Sequence, residues 1–291
     1  MYSIWQIAIV HLNQKTYVQG VVIQGDGKLP EGGNIRRILR VYRMAPASQL
    51  NLIFHANGVE INFQTNKQGG FEFECDHLED DHFSISHQGE KLPVVQHETY
   101  PLHFHLDDHH KYVISDIDDT ILYSHSPHAL KRIFTALLVG PDRRRPIRST
   151  HHLLKSLENK GYCTVYLSKS ESNLLPNLTH YMVKNGLPKS LMFLTPFLRG
   201  SQLLNARKDP DHKIKRIRFL MDQTQGKVVL IGDDGQKDME IYTQACREYG
   251  DRIEKVYIYQ TIRTLSRRKR SQWQQLLDTG VNAEYYREYQ P

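Results

Sequence analysis

The run Val113-Ile114-Ser115-Asp116-Ile117-Asp118-Asp119-Thr120-Ile121-Leu122 restricts this chain more than any other stretch. It reads as a short apolar strand, two carboxylates two residues apart, a small hydroxyl residue, and then apolar chain again. An acidic turn in solvent is usually bracketed by Gly, Pro, Asn or Ser, whereas Val113, Ile114, Ile121 and Leu122 send both flanks towards a core. Asp116 and Asp118 are therefore expected at the mouth of a buried strand. Carboxylates there are costly unless a cation pairs with them, so a bound metal is the simplest explanation; an acidic loop or helix cap is the alternative.

A length of 291 residues leaves room for one large or two ordinary domains, and 39% hydrophobic with 24% charged residues is a globular composition. Cys75, Cys163 and Cys246 are scattered and form no C-x-x-C pair, which argues against a disulfide framework or a thiolate zinc site and fits a reducing compartment. Met1 to Leu12 has a short apolar run without a basic start or cleavage site, and reads as a strand. With no apolar stretch long enough for a bilayer, the expected location is cytoplasmic, either soluble or peripheral at membranes. The net charge of +6 favours anionic partners: phosphorylated small molecules, acidic lipid surfaces or nucleic acid. The basic groups at Arg36, Arg37, Arg40 and Arg43, at Arg143 to Arg145, and at Arg267 to Arg270 read first as solvated faces.

From Met1 to about His105 the pattern is all strand: Ile4–Val10, Thr16–Gln24, Leu50–His55, Val59–Thr65, Phe71–Cys75 and His82–His87. Asn57-Gly58 predicts a type I′ hairpin, and Gln68-Gly69-Gly70 a second turn. An antiparallel β-sandwich-like domain over 1–105 follows, with no catalytic constellation in it. Leu102 to Lys111 carries His103, His105, His109 and His110; a zinc site can be drawn there, but the spacing fits no standard metal pattern and the stretch reads as a polar linker.

Over 106–291 the rhythm becomes strand, helix, strand, helix. Strands are expected at Tyr112–Asp116, Cys163–Leu167, Leu191–Leu194, Lys227–Ile231 and Lys255–Tyr259, with helices at Thr150–Lys160, Ser172–Asn185, His212–Gln225 and Asp238–Tyr249. That is a Rossmann-like α/β domain with a parallel sheet, and such sheets bind ligands beyond the carboxyl ends of their strands. The residues in those places are Asp116, Asp118 and Thr120, then Ser168, then Gly232-Asp233-Asp234-Gly235-Gln236-Lys237-Asp238. Lys213 opens the helix before the fourth strand, where its charge adds to a helix N-terminus. Carboxylates, a hydroxyl and an ammonium on one sheet edge suit phosphoryl transfer, which depends on charge neutralisation and in-line placement.

Asp116-x-Asp118-x-Thr120, Ser168, Lys213 and Gly232-Asp233 with Asp238 resemble the four motifs of the haloacid dehalogenase superfamily of phosphohydrolases, in order. Within it, Ser115 to Ile121, His212-Lys213 and Ile231-Gly232-Asp233-x-Gly235-Gln236-Lys237-Asp238-x-Glu240-Ile241-Tyr242 are similar to the catalytic domain of the actin-patch phosphatidate phosphatase family and its bacterial relatives. The resemblance covers roughly Lys111 to Ile262. It implies that Asp116 attacks phosphorus to form an aspartyl phosphate and that Asp118 serves as acid and then base. It further implies Mg2+ held by Asp116, the Asp118 carbonyl and Asp233, with Asp238 or Asp234 adding a contact. Ser168 would bind a phosphoryl oxygen, Lys213 would offset the developing charge, and Thr120 would line the substrate side or shape the turn. Phosphatidate or a related lipid phosphate is the implied substrate, with peripheral contact to an anionic membrane and no nucleic-acid partner. Alternatives are a phosphatase of soluble or nucleic-acid phosphoesters, or a non-catalytic docking or scaffold protein.

Two departures from the family pattern bear on substrate choice. The loop after the second strand is Ser168-Lys169-Ser170-Glu171-Ser172 where family members carry Ser-Asn-Ser-Pro-Trp, and Asp234 and Met239 stand where Ser and Pro are usual. The insertion at 123–149, with a helix expected at His128–Leu138, is too small to close over a site. Asn177-Leu178-Thr179 is a glycosylation sequon inside an expected helix and is discounted.

Overall fold

Apolar alternation builds two four-stranded sheets before the first acidic motif is reached. The computed structural model describes residues 1–27, 41–78, 82–95, 98–121, 147–199, 209, 211–261 and 264–287. The expected helix at His128–Leu138, the basic residues Arg36, Arg37, Arg40 and Arg143 to Arg145, and most of the 123–149 insertion lie outside them. Two compact units divide the chain: residues 1–106, 170–181 and 194–208 form one, and 107–169, 182–193 and 209–291 the other.

In the first unit, strands β1 (Tyr2–His11), β2 (Lys15–Gln24), β3 (Asn51–Ala56), β4 (Val59–Gln64), β5 (Gly70–Asp76), β6 (Phe83–His87), β7 (Glu90–Lys91) and β8 (His103–His105) form sheets of order β5-β2-β1-β8 and β4-β3-β6-β7. Ile4, Ile7, Ile9, Val18 and Val22 of one sheet share a buried cluster with Leu52, Phe54, Ala56 and Ile85 of the other, which makes the pair a sandwich. A bulge between Ile4 and Gln6 turns Ile4 to the same side as Ile7 and Ile9. Trp5, Val21 and Ile23 then pack with Val41 and Phe197 in a second cluster.

Asn57 (φ 49°) and Gly58 (φ 74°) form the expected hairpin turn, since both central residues need positive φ. Gln88 (φ 51°) and Gly89 (φ 84°) close a second one between β6 and β7. The polar-linker reading of Leu102–Lys111 fails over its first part. His103–His105 is a strand running parallel to β1, with His105 opposite His11, and Leu106 N–H donates to His11 O at 2.8 Å. Backbone pairing outweighs the polar composition there. His11 Nε2 and His103 Nδ1 lie 3.1 Å apart, a hydrogen bond between two imidazoles.

In the second unit's sheet, β9 (Lys111–Asp116), β10 (Tyr162–Glu171), β11 (Leu191–Thr195), β12 (Val228–Asp233), β13 (Ile253–Tyr259) and β14 (Ala283–Tyr286) run parallel in the order β11-β10-β9-β12-β13-β14. Strand β12 is buried along its whole length, as a sheet covered on both faces requires. The helices are α1 (Arg148–Asn159), α2 (Leu175–Lys184), α3 (His212–Gln223), α4 (Asp238–Tyr249) and α5 (Arg267–Leu277). Leu154 and Leu157 of α1, and Ile214, Ile217, Leu220 and Met221 of α3, are the buried apolar residues at helical spacing. Sequence reading expected five strands; β14 is a sixth, and α5 joins it to β13. Strand β10 also continues past Leu167 to Glu171.

Candidate active site

Register brings the acids together. Strands β9 and β12 are parallel neighbours with Ile231 opposite Ser115, so Asp116 and Asp233 sit at adjoining strand ends. Leu167 of β10 faces Asp116, which puts Ser168 one residue further on. Asp238, the first residue of α4, reaches back over Gly232; a Cβ there would lie 2.7 Å from Asp238 Oδ2 and 2.7 Å from Tyr242 Cε2, so only glycine fits. Asp116, Asp233 and Asp238 thus present carboxylate oxygens within 4.8 Å of one another, all buried.

Lys213 enters from the first turn of α3. Its Nζ lies 2.8 Å from Asp116 Oδ1 and 2.6 Å from Asp238 Oδ1, and it is 1% exposed. Burial alone would lower this ammonium's pKa, but the two carboxylates hold it above the ordinary lysine range. Burial pushes Asp116 well above the carboxylate range against the pull of Lys213, with Asp238, Asp118 and Asp233 adding to the rise. Burial, seconded by Asp238, likewise raises Asp233 to about 8.

A divalent cation fits this donor set. Three buried carboxyl groups crowd around Lys213, and burial with their mutual repulsion raises Asp116 and Asp233, a cost that a divalent cation would offset. Asp233 Oδ2 is buried and takes part in no hydrogen bond among the described residues. The donors are all oxygens, as hard cations such as Mg2+ prefer.

The remaining expected residues fall around this centre. Ser168 Oγ donates to Asp118 Oδ2 at 2.7 Å, so the hydroxyl meets the second acid directly. Asp119, directly after Asp118, adopts φ 60°, a left-handed conformation that Asp tolerates. Thr120 is fully buried with Oγ1 in no hydrogen bond among the described residues, and stands outside the three-acid cluster. Asp234 is turned elsewhere. Its Oδ1 accepts from the Thr261 N–H at 2.9 Å and its Oδ2 from Tyr285 OH at 3.4 Å, so Asp238 and not Asp234 completes the cluster.

Three residues given no role at the site from sequence also bear on it. Gln236 donates from its backbone N–H to Asp233 Oδ1 at 2.9 Å and from Nε2 to the Asp118 carbonyl at 3.3 Å. Lys269 donates to the Gln236 carbonyl at 2.7 Å. Burial lowers the pKa of Lys169, with Lys213 adding to the fall while Asp238 and Asp116 oppose it, so this ammonium lies within electrostatic reach of the acids. Gln236 lay inside the acidic motif and Lys169 at a departure from the family pattern, whereas Lys269 stood in a basic run that read as a solvated face.

The family model described as "Phosphatidate phosphatase APP1, catalytic domain" matches residues 111–260, the stretch that holds every acid of the cluster. The chain belongs to this family. It therefore carries a phosphatase-family catalytic domain with a buried aspartate cluster able to bind a metal. Over 150 residues it is 26% identical to an uncharacterized protein of Schizosaccharomyces pombe, covering 50% of this chain and 24% of that one. It spans only about a quarter of that relative's length. Among solved structures, one of the Pnkp1/Rnl/Hen1 complex is 15% identical with a TM-score of 0.35, covering 71% of this chain and 57% of that one. A Thermotoga maritima protein provisionally assigned as a beta-phosphoglucomutase is 14% identical with a TM-score of 0.35, covering 61% of this chain and 94% of its own. Likeness at that level bears on neither the fold nor the chemistry. No helix among the described residues is long and apolar enough to cross a membrane.

Proposed function

We propose that the chain is a Mg2+-dependent phosphomonoesterase that works through an aspartyl phosphate on Asp116, with phosphatidate or a related lipid phosphate as substrate. The observation that carries the reading is Asp116 itself. One of its carboxylate oxygens is ion-paired with Lys213 at 2.8 Å, and the carboxylate is buried beside Asp233 and Asp238 with neither oxygen in a hydrogen bond among the described residues. That is how a nucleophile is oriented through one oxygen while the other is kept for phosphorus.

In the first step Asp116 Oδ2 forms a bond to phosphorus as the bond to the ester oxygen breaks, and the Asp118 carboxyl gives that oxygen its proton. In the second, Asp118 takes a proton from water as the water oxygen displaces the Asp116 carboxylate and inorganic phosphate leaves. Ser168 orients Asp118 through the 2.7 Å hydrogen bond to Oδ2. Lys213 keeps its charge throughout and offsets what accumulates on Asp116 and the phosphoryl oxygens. Asp116, Asp233 and Asp238 would hold the ion, which when bound supplies charge neutralisation for the phosphoryl group.

The lipid substrate rests on the family's description, and a net charge of +6 is in keeping with peripheral contact to an anionic membrane on the cytoplasmic side. The test is phosphate release from phosphatidate in mixed micelles and from soluble phosphomonoesters, with and without Mg2+, for the wild type and Asp116→Asn. Release that needs Mg2+, is fastest on the lipid and vanishes in Asp116→Asn with an unchanged circular dichroism spectrum is expected. Full activity of Asp116→Asn refutes the nucleophile, activity in chelator refutes the metal, and faster turnover of soluble esters refutes the lipid.

A further inference from the structure

The family match ends at residue 260, yet the chain beyond it reaches the motif loop after β12. Tyr285 of β14 donates to Asp234 at 3.4 Å, Arg268 and Gln272 of α5 both donate to Glu240, and Lys269 donates to the Gln236 carbonyl at 2.7 Å. In the basic run Arg267-Arg268-Lys269-Arg270 the three arginines are exposed, as a solvated face would have it. Lys269 alone is half-buried. Its backbone is fixed as well, since its N–H donates to the Ser266 cap hydroxyl at 3.3 Å.

What Lys269 holds is the residue that joins the two acidic motifs. Gln236 touches Asp233 through its backbone N–H and the Asp118 carbonyl through its side chain, at 2.9 and 3.3 Å. The neighbouring Gly235 N–H also donates to Asp233 Oδ1, at 2.5 Å. The three donors spring from two consecutive residues, so a shift of this turn would move them together.

We propose that Lys269, outside the family-matched residues, is a positioning residue for the acidic site: by gripping the Gln236 carbonyl it fixes the turn from which Gln236 sets Asp118 and Asp233. Lys269 touches neither acid directly, so its effect passes through Gln236. Burial lowers the Lys269 pKa while Asp233, Asp234 and Glu240 raise it, in keeping with an ammonium drawn in among acids. The inference builds on the phosphatase reading but not on turnover as its only readout.

The experiment compares the full chain with Lys269→Met, Lys269→Arg, Gln236→Ala and the Lys269→Met/Gln236→Ala double variant. Three quantities are read: amide exchange of a 232–240 peptide, the Mg2+ binding midpoint by calorimetry, and kcat and KM on a phosphomonoester. In Lys269→Met we expect at least tenfold faster exchange at Gly235 and Gln236, a Mg2+ midpoint raised five- to tenfold, and a kcat about tenfold lower with KM within twofold. Lys269→Arg should fall between this variant and wild type. The double variant should lose less than the product of the single losses, since both act through one turn. Unchanged exchange in Lys269→Met overturns the proposal whatever the activity. A rise in KM alone overturns it too, because that marks a substrate contact. If Lys269→Met does not fold, Lys269→Arg with wild-type exchange and Gln236→Ala with a wild-type Mg2+ midpoint together overturn it. A wild type that binds Mg2+ but releases no phosphate refutes the phosphatase reading and leaves exchange and the Mg2+ midpoint to decide on Lys269.

Discussion

Lys213 Nζ stands 2.8 Å from Asp116 Oδ1, with the two side chains 1% and 0% exposed. A contact of this kind is a poor source of stability by itself, since both groups lose water to make it. Its worth lies in what would happen without it: the cluster of Asp116, Asp233 and Asp238 would lose the ammonium that contacts Asp116 and Asp238.

Lys213→Met should therefore destabilise the protein in chelator by roughly 3–5 kcal/mol, the range for removing one partner of a buried pair. Mg2+ at saturating concentration should recover a large part of the loss, because a divalent ion neutralises the same carboxylates. Thermal melts with and without Mg2+ measure both. A variant as stable as wild type in chelator would show that the acids are not ionised together.

Gly232→Ala tests the close approach of α4 to β12. The added methyl would meet Asp238 Oδ2 and Tyr242 Cε2, each at 2.7 Å, inside a packed region where neither can retreat cheaply. A loss of about 1–3 kcal/mol is expected from overpacking. Because Asp238 is one of the atoms displaced, the Mg2+ midpoint should rise at least fivefold. A melt and a calorimetric titration suffice, and an unchanged midpoint would remove Asp238 from the ion site.

What sequence reading recovered and missed follows from how far each element depends on partners. Asp116, Asp118, Ser168 and Asp233 could be gathered beforehand because strand ends in a parallel sheet share one edge, and the register of β9, β10 and β12 places them there. Asn57-Gly58 was legible because positive φ suits both residues, whereas Gln88-Gly89 adopts the same turn with a residue that signals it weakly. His103–His105 is a strand only because β1 is there to pair with it. Helix α5 has two buried residues, Gln272 and Leu276, too few to show as a periodic apolar stripe. Lys269 looked like any member of a basic run until its helix was packed against α4. The choice between Asp234 and Asp238 was equally hidden, since both follow the same strand and only the turn into α4 separates their directions.

That choice yields a paired prediction. Asp238→Asn should weaken Mg2+ binding at least tenfold, because it takes a charge from the cluster and leaves Lys213 with one carboxylate. Asp234→Asn should change Mg2+ affinity less than threefold, since Asp234 bonds Thr261 and Tyr285 instead. It should instead lower the melting temperature through those lost contacts. Calorimetry on the two variants side by side decides, and equal effects would mean that Asp234 also serves the ion.

His212 precedes Lys213 and gives the fold a pH dependence of its own. Burial lowers its pKa to about 4, with Arg216 adding to the fall and a backbone hydrogen bond at Phe193 opposing it. The unfolded chain takes up this proton near pH 6.5, the folded chain only near 4, so between those values the unfolded state binds more protons. Stability from this group is thus complete above about pH 6.5 and falls as pH drops towards 4, by on the order of 3 kcal/mol at about 1.4 kcal/mol per pKa unit. His212→Phe keeps a ring of similar size and removes the titration, so its melting temperature should vary less steeply than wild type over this window. Melts at half-unit pH steps in chelator measure the slope, and identical slopes in the two proteins would show that the His212 imidazole is already protonated in the folded state.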